Sequence, residues 1–218
     1  MTILKIRTHG NVNNPEKIVV LMHGYGSNSA DMLGLAKEIC ASNEGLQNKL
    51  LFIVPDAPFA WEGGDYSEAR QWFSLISREE AFLLEGLKTA RSILLSNIEI
   101  WLKNYNLQQE NLILSGFSQG AMLSLHTGLR NDEKIAGILA FSGTLIGRET
   151  LENDVKQKPK ICMIHGTEDE VLPVTYSKIA HKALCDMEIH SQLHTIKYMG
   201  HSINEECINI AVNFLLDL

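Results

Sequence analysis

Asn111-Leu112-Ile113-Leu114-Ser115-Gly116-Phe117-Ser118-Gln119-Gly120-Ala121-Met122-Leu123 is the stretch that decides the fold. It reads as a strand, a sharp turn and a helix. Leu112 to Leu114 form a short apolar run of the kind found in a buried parallel strand. Gly116-Phe117-Ser118-Gln119-Gly120 then matches Gly-x-Ser-x-Gly, the pattern of a nucleophile elbow. The serine must sit at the tip of a strained strand-to-helix turn, with its hydroxyl pushed out of the sheet. That crowding leaves no room for side chains two residues before it or two after it, so glycine occupies both places. Ala121 keeps the start of the helix close to the sheet. The helix N-terminus turns partial positive charge towards whatever binds the serine, which suits an oxyanion.

The rest of the chain repeats that alternation. Thr2 to His9 is a candidate edge strand. Ile18-Val19-Val20-Leu21-Met22 is a fully apolar strand running into the loop His23-Gly24-Tyr25-Gly26-Ser27-Asn28. Met32, Leu35, Ala36, Ile39 and Cys40 then recur at helical spacing. Leu50 to Val54 is the next buried strand, stopped by Pro55-Asp56-Ala57-Pro58. Ser77-Arg78-Glu79-Glu80 has the form of a capping box opening a long helix, with Leu83, Leu87, Ala90, Leu94, Ile98 and Trp101 on its apolar face. After the elbow, Ile135 to Phe141 and Lys160 to Ile164 read as strands, separated by a polar connection from Gly147 to Pro159. A helix carrying Ile179, Ala180, Ala183, Leu184 and Met187 follows, then a weakly alternating strand, Ser191 to Tyr198. Ser202-Ile203-Asn204-Glu205 is a second capping box before a final helix. Strands alternating with helices predict a mostly parallel central sheet with helices on both faces. No linker or repeat divides residues 1–218, so a single domain is expected.

Composition sets limits on function. The chain has 218 residues, 45% hydrophobic and 21% charged, as in an ordinary globular protein. A formal net charge of −7 and the lack of a basic cluster argue against nucleic acid as a partner. No apolar run approaches the roughly 20 residues needed to cross a bilayer. Met1 to Arg7 alternates like a strand and lacks a signal-peptide core. The four cysteines, Cys40, Cys162, Cys185 and Cys207, form no Cys-x-x-Cys or zinc spacing. Cys40, Cys162 and Cys207 fall on apolar positions and read as reduced, buried thiols, which predicts a cytoplasmic location.

A serine hydroxyl is a poor nucleophile until a base takes its proton, and the base needs a third group to orient it. In open parallel sheets such groups gather beyond the carboxyl ends of strands. Ser118 ends one strand. Glu168-Asp169-Glu170 follows another, and the short carboxylate of Asp169 is the best reach from a tight loop. Asp56 also follows a strand but precedes the elbow. His201 follows the last strand, directly before Ser202, read as an N-cap, where a neutral imidazole is favoured. His165 ends a strand but lies close to Asp169 in sequence, which argues against the two as partners. His23 is read as making a structural hydrogen bond. His9, His126, His181, His190 and His194 carry no signal. An oxyanion hole needs two backbone N–H groups, for which Gln119 and Tyr25 are the candidates.

Together these motifs resemble the carboxylesterase/phospholipase branch of the α/β-hydrolases, which includes acyl-protein thioesterases. The matching pieces are Leu21-Met22-His23-Gly24-Tyr25-Gly26, Pro55-Asp56-Ala57-Pro58, Trp72-Phe73, Gly116 to Ala121, Phe141-Ser142-Gly143, His165 to Pro173 and Gly200-His201. The resemblance implies an α/β-hydrolase fold and hydrolysis of carboxylic esters or thioesters of modest acyl length, with no metal or cofactor. It places the catalytic roles on Ser118, Asp169 and His201 and supports Tyr25 and Gln119 as oxyanion donors. Ser74 departs from the family, where many relatives have aspartate after Trp-Phe. The expected partner is a small ester or thioester substrate, and the protein itself a monomer or homodimer. The aromatic stretch Phe59 to Phe73 is expected to border the site. Trp61, Trp72, Phe73 and Leu145 are the candidate substrate contacts, with Gly63 and Gly64 giving Trp61 freedom to move. Within the esterases an acyl-protein thioesterase or lysophospholipase is the alternative, and a non-catalytic binding protein on the same scaffold is the competing class.

Overall fold

The structure is a computed structural model and describes residues 2–218. In chain order its elements are β1 (Ile6–Gly10), β2 (Lys17–Met22), α1 (Ser29–Ser42), α2 (Glu44–Lys49), β3 (Leu50–Pro55), β4 (Phe59–Ala60) and β5 (Arg70–Gln71). Then come α3 (Glu80–Asn104), a short 3₁₀ turn, β6 (Leu112–Phe117), α4 (Gln119–Leu129), β7 (Gly137–Phe141) and α5 (Arg148–Asp154). β8 (Lys160–Gly166), α6 (Thr175–Asp186), β9 (Ser191–Ile196) and α7 (Glu205–Leu216) complete the chain.

Seven strands form one sheet in the order β1-β3-β2-β6-β7-β8-β9. β1 runs antiparallel to β3 at one edge, and every other pair is parallel. Strand residues point alternately to the two faces, and both faces are covered. Ile18, Val20, Met22, Leu112 and Leu114 face one apolar layer, packed with Leu87, Leu94 and Ile98 of α3. Val19, Leu21 and Ile113 face the other, with Ile39 of α1 and Ala211 of α7. The continuous apolar runs of β2, β3 and β6 are the signature of strands buried on both sides.

The central register places the site. Leu21 pairs with Ser115 and Met22 with Gly116, so the loop after β2 emerges beside the elbow after β6. Phe117 pairs with Phe141 on the other side.

Several local expectations change. Ser77 does not cap α3: the helix begins at Glu80, and Ser77 Oγ accepts only from the Glu79 N–H. Ser202 does not cap α7 either. Asn204 does, accepting from the Cys207 N–H at 3.1 Å. Asn is as good an N-cap as Ser and sits closer to the apolar face of the helix. The polar connection after Gly147 contains α5, and α2 was not foreseen. Both are single short helices, below the length at which periodicity is readable. The Phe59 to Phe73 stretch contains a small antiparallel ribbon, β4 paired with β5.

Candidate active site

The turn between β6 and α4 holds Ser118 at φ 53° and ψ −111°, a conformation that a non-glycine residue rarely takes. Hydrogen bonds on both sides hold it there. Ser118 N–H donates to Phe141 O at 2.8 Å, and Met122 N–H donates to Ser118 O at 3.0 Å. The flanking glycines are required by contact: a Cβ on Gly116 would meet the backbone of Gly120, and one on Gly120 would meet the Met22 carbonyl. Ala121 packs against Gly143 so closely that no side chain fits on the latter.

Asp169 lies in the loop after β8 and His201 in the loop after β9. His201 Nδ1–H donates to Asp169 Oδ2 at 2.6 Å. The carboxylate side chain is fully buried, and its Oδ1 accepts from the N–H groups of Val171 and Leu172 at 3.0 and 2.8 Å. Burial alone would raise the Asp169 pKa. The hydrogen bonds from His201 and Leu172 outweigh it and hold the carboxyl below its ordinary range. The imidazole of His201 packs on Phe117, ring centroids 4.7 Å apart. Its position next to a helix terminus was misread: Ser202 N–H turns back to Gly200 O, and α7 starts only at Glu205.

The loop after β2 is built around His23. Its Nδ1–H donates to Gly24 O at 2.7 Å, and its Nε2 accepts from the Ala57 N–H at 3.0 Å. Burial pushes the His23 pKa down, which keeps the ring neutral as those bonds require. His23 is thus structural, as expected. Asp56 accepts from the Ser29 N–H at 2.7 Å and so holds the start of α1. The N–H groups of Tyr25 and Gln119 have no acceptor among the described residues. The Gln119 N–H opens α4, where no intrahelical partner exists. The Gln119 side chain is buried: it accepts from Trp72 N–H and donates to Phe73 O, both at 2.8 Å.

Ser118, His201, Tyr25 and Gly24 line one groove of about 740 Å³. Its apolar wall comes from Met32, Leu35, Leu75, Phe117, Val171 and Ile203. Asp31, Glu38 and Arg78 add charge. Among the described residues no cluster of His, Cys, Asp or Glu is arranged to hold a metal ion.

The four expected substrate contacts do not line this groove. Trp72 and Phe73 are sealed in the core, with the Trp72 indole N–H donating to His23 O at 3.0 Å. Leu145 also belongs to the core layer on the α3 side. Trp61 packs between Tyr25, edge to face, and Tyr66, tilted, at centroid distances of 6.0 and 5.9 Å. Gly63 does not free the indole; the ring lies directly over it, where a Cβ would collide. The segment carrying Trp61 instead braces the loop after β2. Gly26 N–H donates to Arg70 O, Arg70 N–H to Ser27 O, and Tyr25 Oη–H to Glu62 Oε1, each at 2.9 Å. Glu62 Oε1 also accepts from the Leu75 N–H at 2.7 Å. Aromatic content marked the segment as buried without saying on which side. Of the apolar groove residues, Met32 and Leu35 were already visible in the stripe of α1 and Phe117 as the x residue of the elbow motif; Leu75, Val171 and Ile203 were not.

One more neighbour was read wrongly. His165 Nε2 lies 3.0 Å from Asp169 Oδ2, although closeness in sequence had argued against that contact. β8 ends at Gly166 and the chain folds straight back, so the two side chains meet.

The sequence model of the family described as Phospholipase/Carboxylesterase matches residues 7–217. The chain belongs to the phospholipase/carboxylesterase family. It has the α/β-hydrolase fold and is a serine hydrolase of this family acting on ester bonds. The crystal structure of esterase PE8 superimposes with a TM-score of 0.91 and 33% identity, over 99% of each chain. Acyl-protein thioesterase 1 homolog 1 of Dictyostelium discoideum is 29% identical over 90% of this chain and 88% of its own length. Acyl-protein thioesterase 1 homolog 2 of the same organism is 34% identical over 71% of this chain and 72% of its own. The chain's groove opens at the carboxyl ends of the parallel strands β2, β6 and β9. Among its described residues no helix is long and apolar enough to cross a membrane.

Proposed function

We propose that the chain is a carboxylesterase that hydrolyses esters of short to medium acyl chains through an acyl-enzyme. The observation that carries this reading is the 2.6 Å bond from His201 to the buried carboxylate of Asp169, at a groove that also holds the strained Ser118. Ser118 Oγ attacks the ester carbonyl as His201 Nε2 takes its proton. Asp169 fixes the Nδ1–H tautomer and stabilises the imidazolium. The Ser118 side chain does not cap α4, which leaves its hydroxyl to meet His201 when substrate is bound. The N–H groups of Tyr25 and Gln119 receive the tetrahedral oxyanion. His201 then protonates the departing alcohol, and water repeats the sequence on the acyl-enzyme.

The apolar wall of Met32, Leu35, Leu75 and Ile203 supports an acyl group of several carbons. The test is a rate profile across p-nitrophenyl esters of increasing chain length, with Ser118→Ala as control. A peak between butyrate and octanoate is expected; activity confined to acetate would refute the acyl assignment.

A thioesterase reading is favoured by the two Dictyostelium discoideum relatives named as acyl-protein thioesterase homologs. Paired oxygen esters and thioesters of one acyl group separate the two: the carboxylesterase reading predicts the higher kcat/KM on the oxygen ester.

A further inference from the structure

Asp169 Oδ2 has two histidine neighbours, and the mechanism above uses one. His201 Nδ1 is 2.6 Å away and His165 Nε2 is 3.0 Å away. His165 is completely buried, one residue from the end of β8. Its Nε2 also lies 2.8 Å from the carbonyl oxygen of Leu172. A carbonyl and an ionised carboxylate can only accept. A bare Nε2 lone pair facing both would be repelled by both, so Nε2 carries a hydrogen, bonded to the Leu172 carbonyl and lying beside the Asp169 carboxylate.

The other edge of the ring agrees. Nδ1 lies 2.5 Å from Ser177 Oγ, which lies 2.6 Å from Gly143 O. In the neutral ring with Nε2–H, Nδ1 takes the one hydrogen of the Ser177 hydroxyl, which then no longer donates to Gly143 O. In a charged ring, Nδ1–H would donate to Ser177, whose own hydrogen would pass to Gly143 O. Nε2–H stays beside Asp169 in both.

We propose that His165 is a positioning residue for the triad, its Nε2–H holding Asp169 Oδ2 in the orientation that meets His201 Nδ1 and drawing off part of the carboxylate's charge. This rests on the assignment of Ser118, His201 and Asp169 made above. Oδ1 is already held by Val171 and Leu172, so His165 supplies the remaining fixed donor on the oxygen that serves His201. Ser177 ties the ring to Gly143, which packs against Ala121 in the elbow helix. One run of close contacts thus joins the helix behind the nucleophile to the acid. Burial lowers the affinity of His165 for a second proton, so the ring serves as a donor and not as a proton store. Asp169 and His201 are the titratable groups that face it.

The first test needs no substrate. Long-range proton–nitrogen correlation spectra of the isotope-labelled protein report which ring nitrogen of each histidine is protonated, with His165 assigned by its loss in His165→Gln. A protonated Nε2 on His165 is expected; a bare Nε2 with the hydrogen on Nδ1 overturns the proposal.

The second test is kinetic. His165→Gln keeps an N–H near Asp169, and His165→Leu does not. His165→Leu should lower kcat roughly 10- to 100-fold with KM little changed. Its acid limb of kcat/KM should move to higher pH, because a carboxylate left with its full charge stabilises the His201 imidazolium better. His165→Gln should restore most of kcat and the wild-type limb. A wild-type limb in His165→Leu, or an identical loss in both variants, overturns the proposal. Should His165→Leu not fold, the wild-type spectra still decide. Labelling of Ser118 by a fluorophosphonate separates the two readings: no labelling defeats the triad, whereas a bare Nε2 with labelling intact defeats only the role of His165.

Discussion

Gly120 and Met22 are packed so closely that no side chain fits between them: a Cβ on Gly120 would run into the Met22 carbonyl. The contact locks the end of β2 to the start of α4, and with it the spacing between the Tyr25 and Gln119 N–H groups. Gly120→Ala must push the two apart. It should cost ~1–3 kcal/mol, as overpacked cores do, and should lower kcat in the fraction that folds. Urea unfolding and active-site titration check both. A variant as stable and as active as the wild type would mean that the loop after β2 is not held by this contact.

The triad predicts non-additivity. Ser118→Ala and His201→Ala should each lower turnover on the order of 10⁶-fold if the serine-protease precedent carries over, with Asp169→Asn costing less. The double variant Ser118→Ala/His201→Ala should be little worse than either single one. Circular dichroism should show all of them folded. Losses that add would assign the residues to separate steps.

Chain-length selectivity should sit on the aliphatic wall and not on the aromatic ribbon. Leu75→Ala and Ile203→Ala should weaken catalysis increasingly with acyl length, by up to about 0.8 kcal/mol per methylene that loses its burial. Trp61→Ala should lower rates on acetate, butyrate and octanoate by a similar factor, because Trp61 braces Tyr25 from outside the groove. A deficit for Trp61→Ala that grows with chain length would put the indole back in the acyl site.

Asp169 also gives stability a pH dependence. Its carboxyl is held below the ordinary range in the fold. The ionised form therefore contributes stability that is present above the unfolded pKa of about 3.9 and lost as pH falls through the lower folded value. Thermal unfolding of wild type and Asp169→Asn should show a gap that narrows as the pH is lowered through that window. A stability gap that widens at low pH would contradict the ionised, hydrogen-bonded carboxylate.

The frame and the proposed triad were legible because each rests on a local rule. Val19 and Leu21 against Val20 and Met22 show a strand buried on both faces, and Gly116 and Gly120 are demanded by a turn spanning five residues. Ser118, Asp169 and His201 follow from strand ends and their order. What stayed hidden depends on which way a side chain faces. Trp72 and Phe73 announce burial, but only the fold shows them turned into the core, away from the groove. Leu75 and Ile203 look like ordinary connection residues until the fold brings the segments after β5 and β9 beside the elbow. His165 was set aside for its nearness to Asp169 in sequence, yet the tight return of the chain after β8 makes that nearness a contact. Ser77 and Ser202 carry the capping-box pattern, but the helices start at the next available geometry, and Asn204 takes the role at α7.

The most direct measurement is covalent labelling by a fluorophosphonate followed by peptide mass spectrometry. The probe should form one adduct, on Ser118, with loss of esterase activity in proportion to labelling. Labelling should vanish in Ser118→Ala and slow sharply in His201→Ala. A fully folded protein that takes up no label, or one labelled at a serine other than Ser118, would contradict the assignment of Ser118 as the nucleophile.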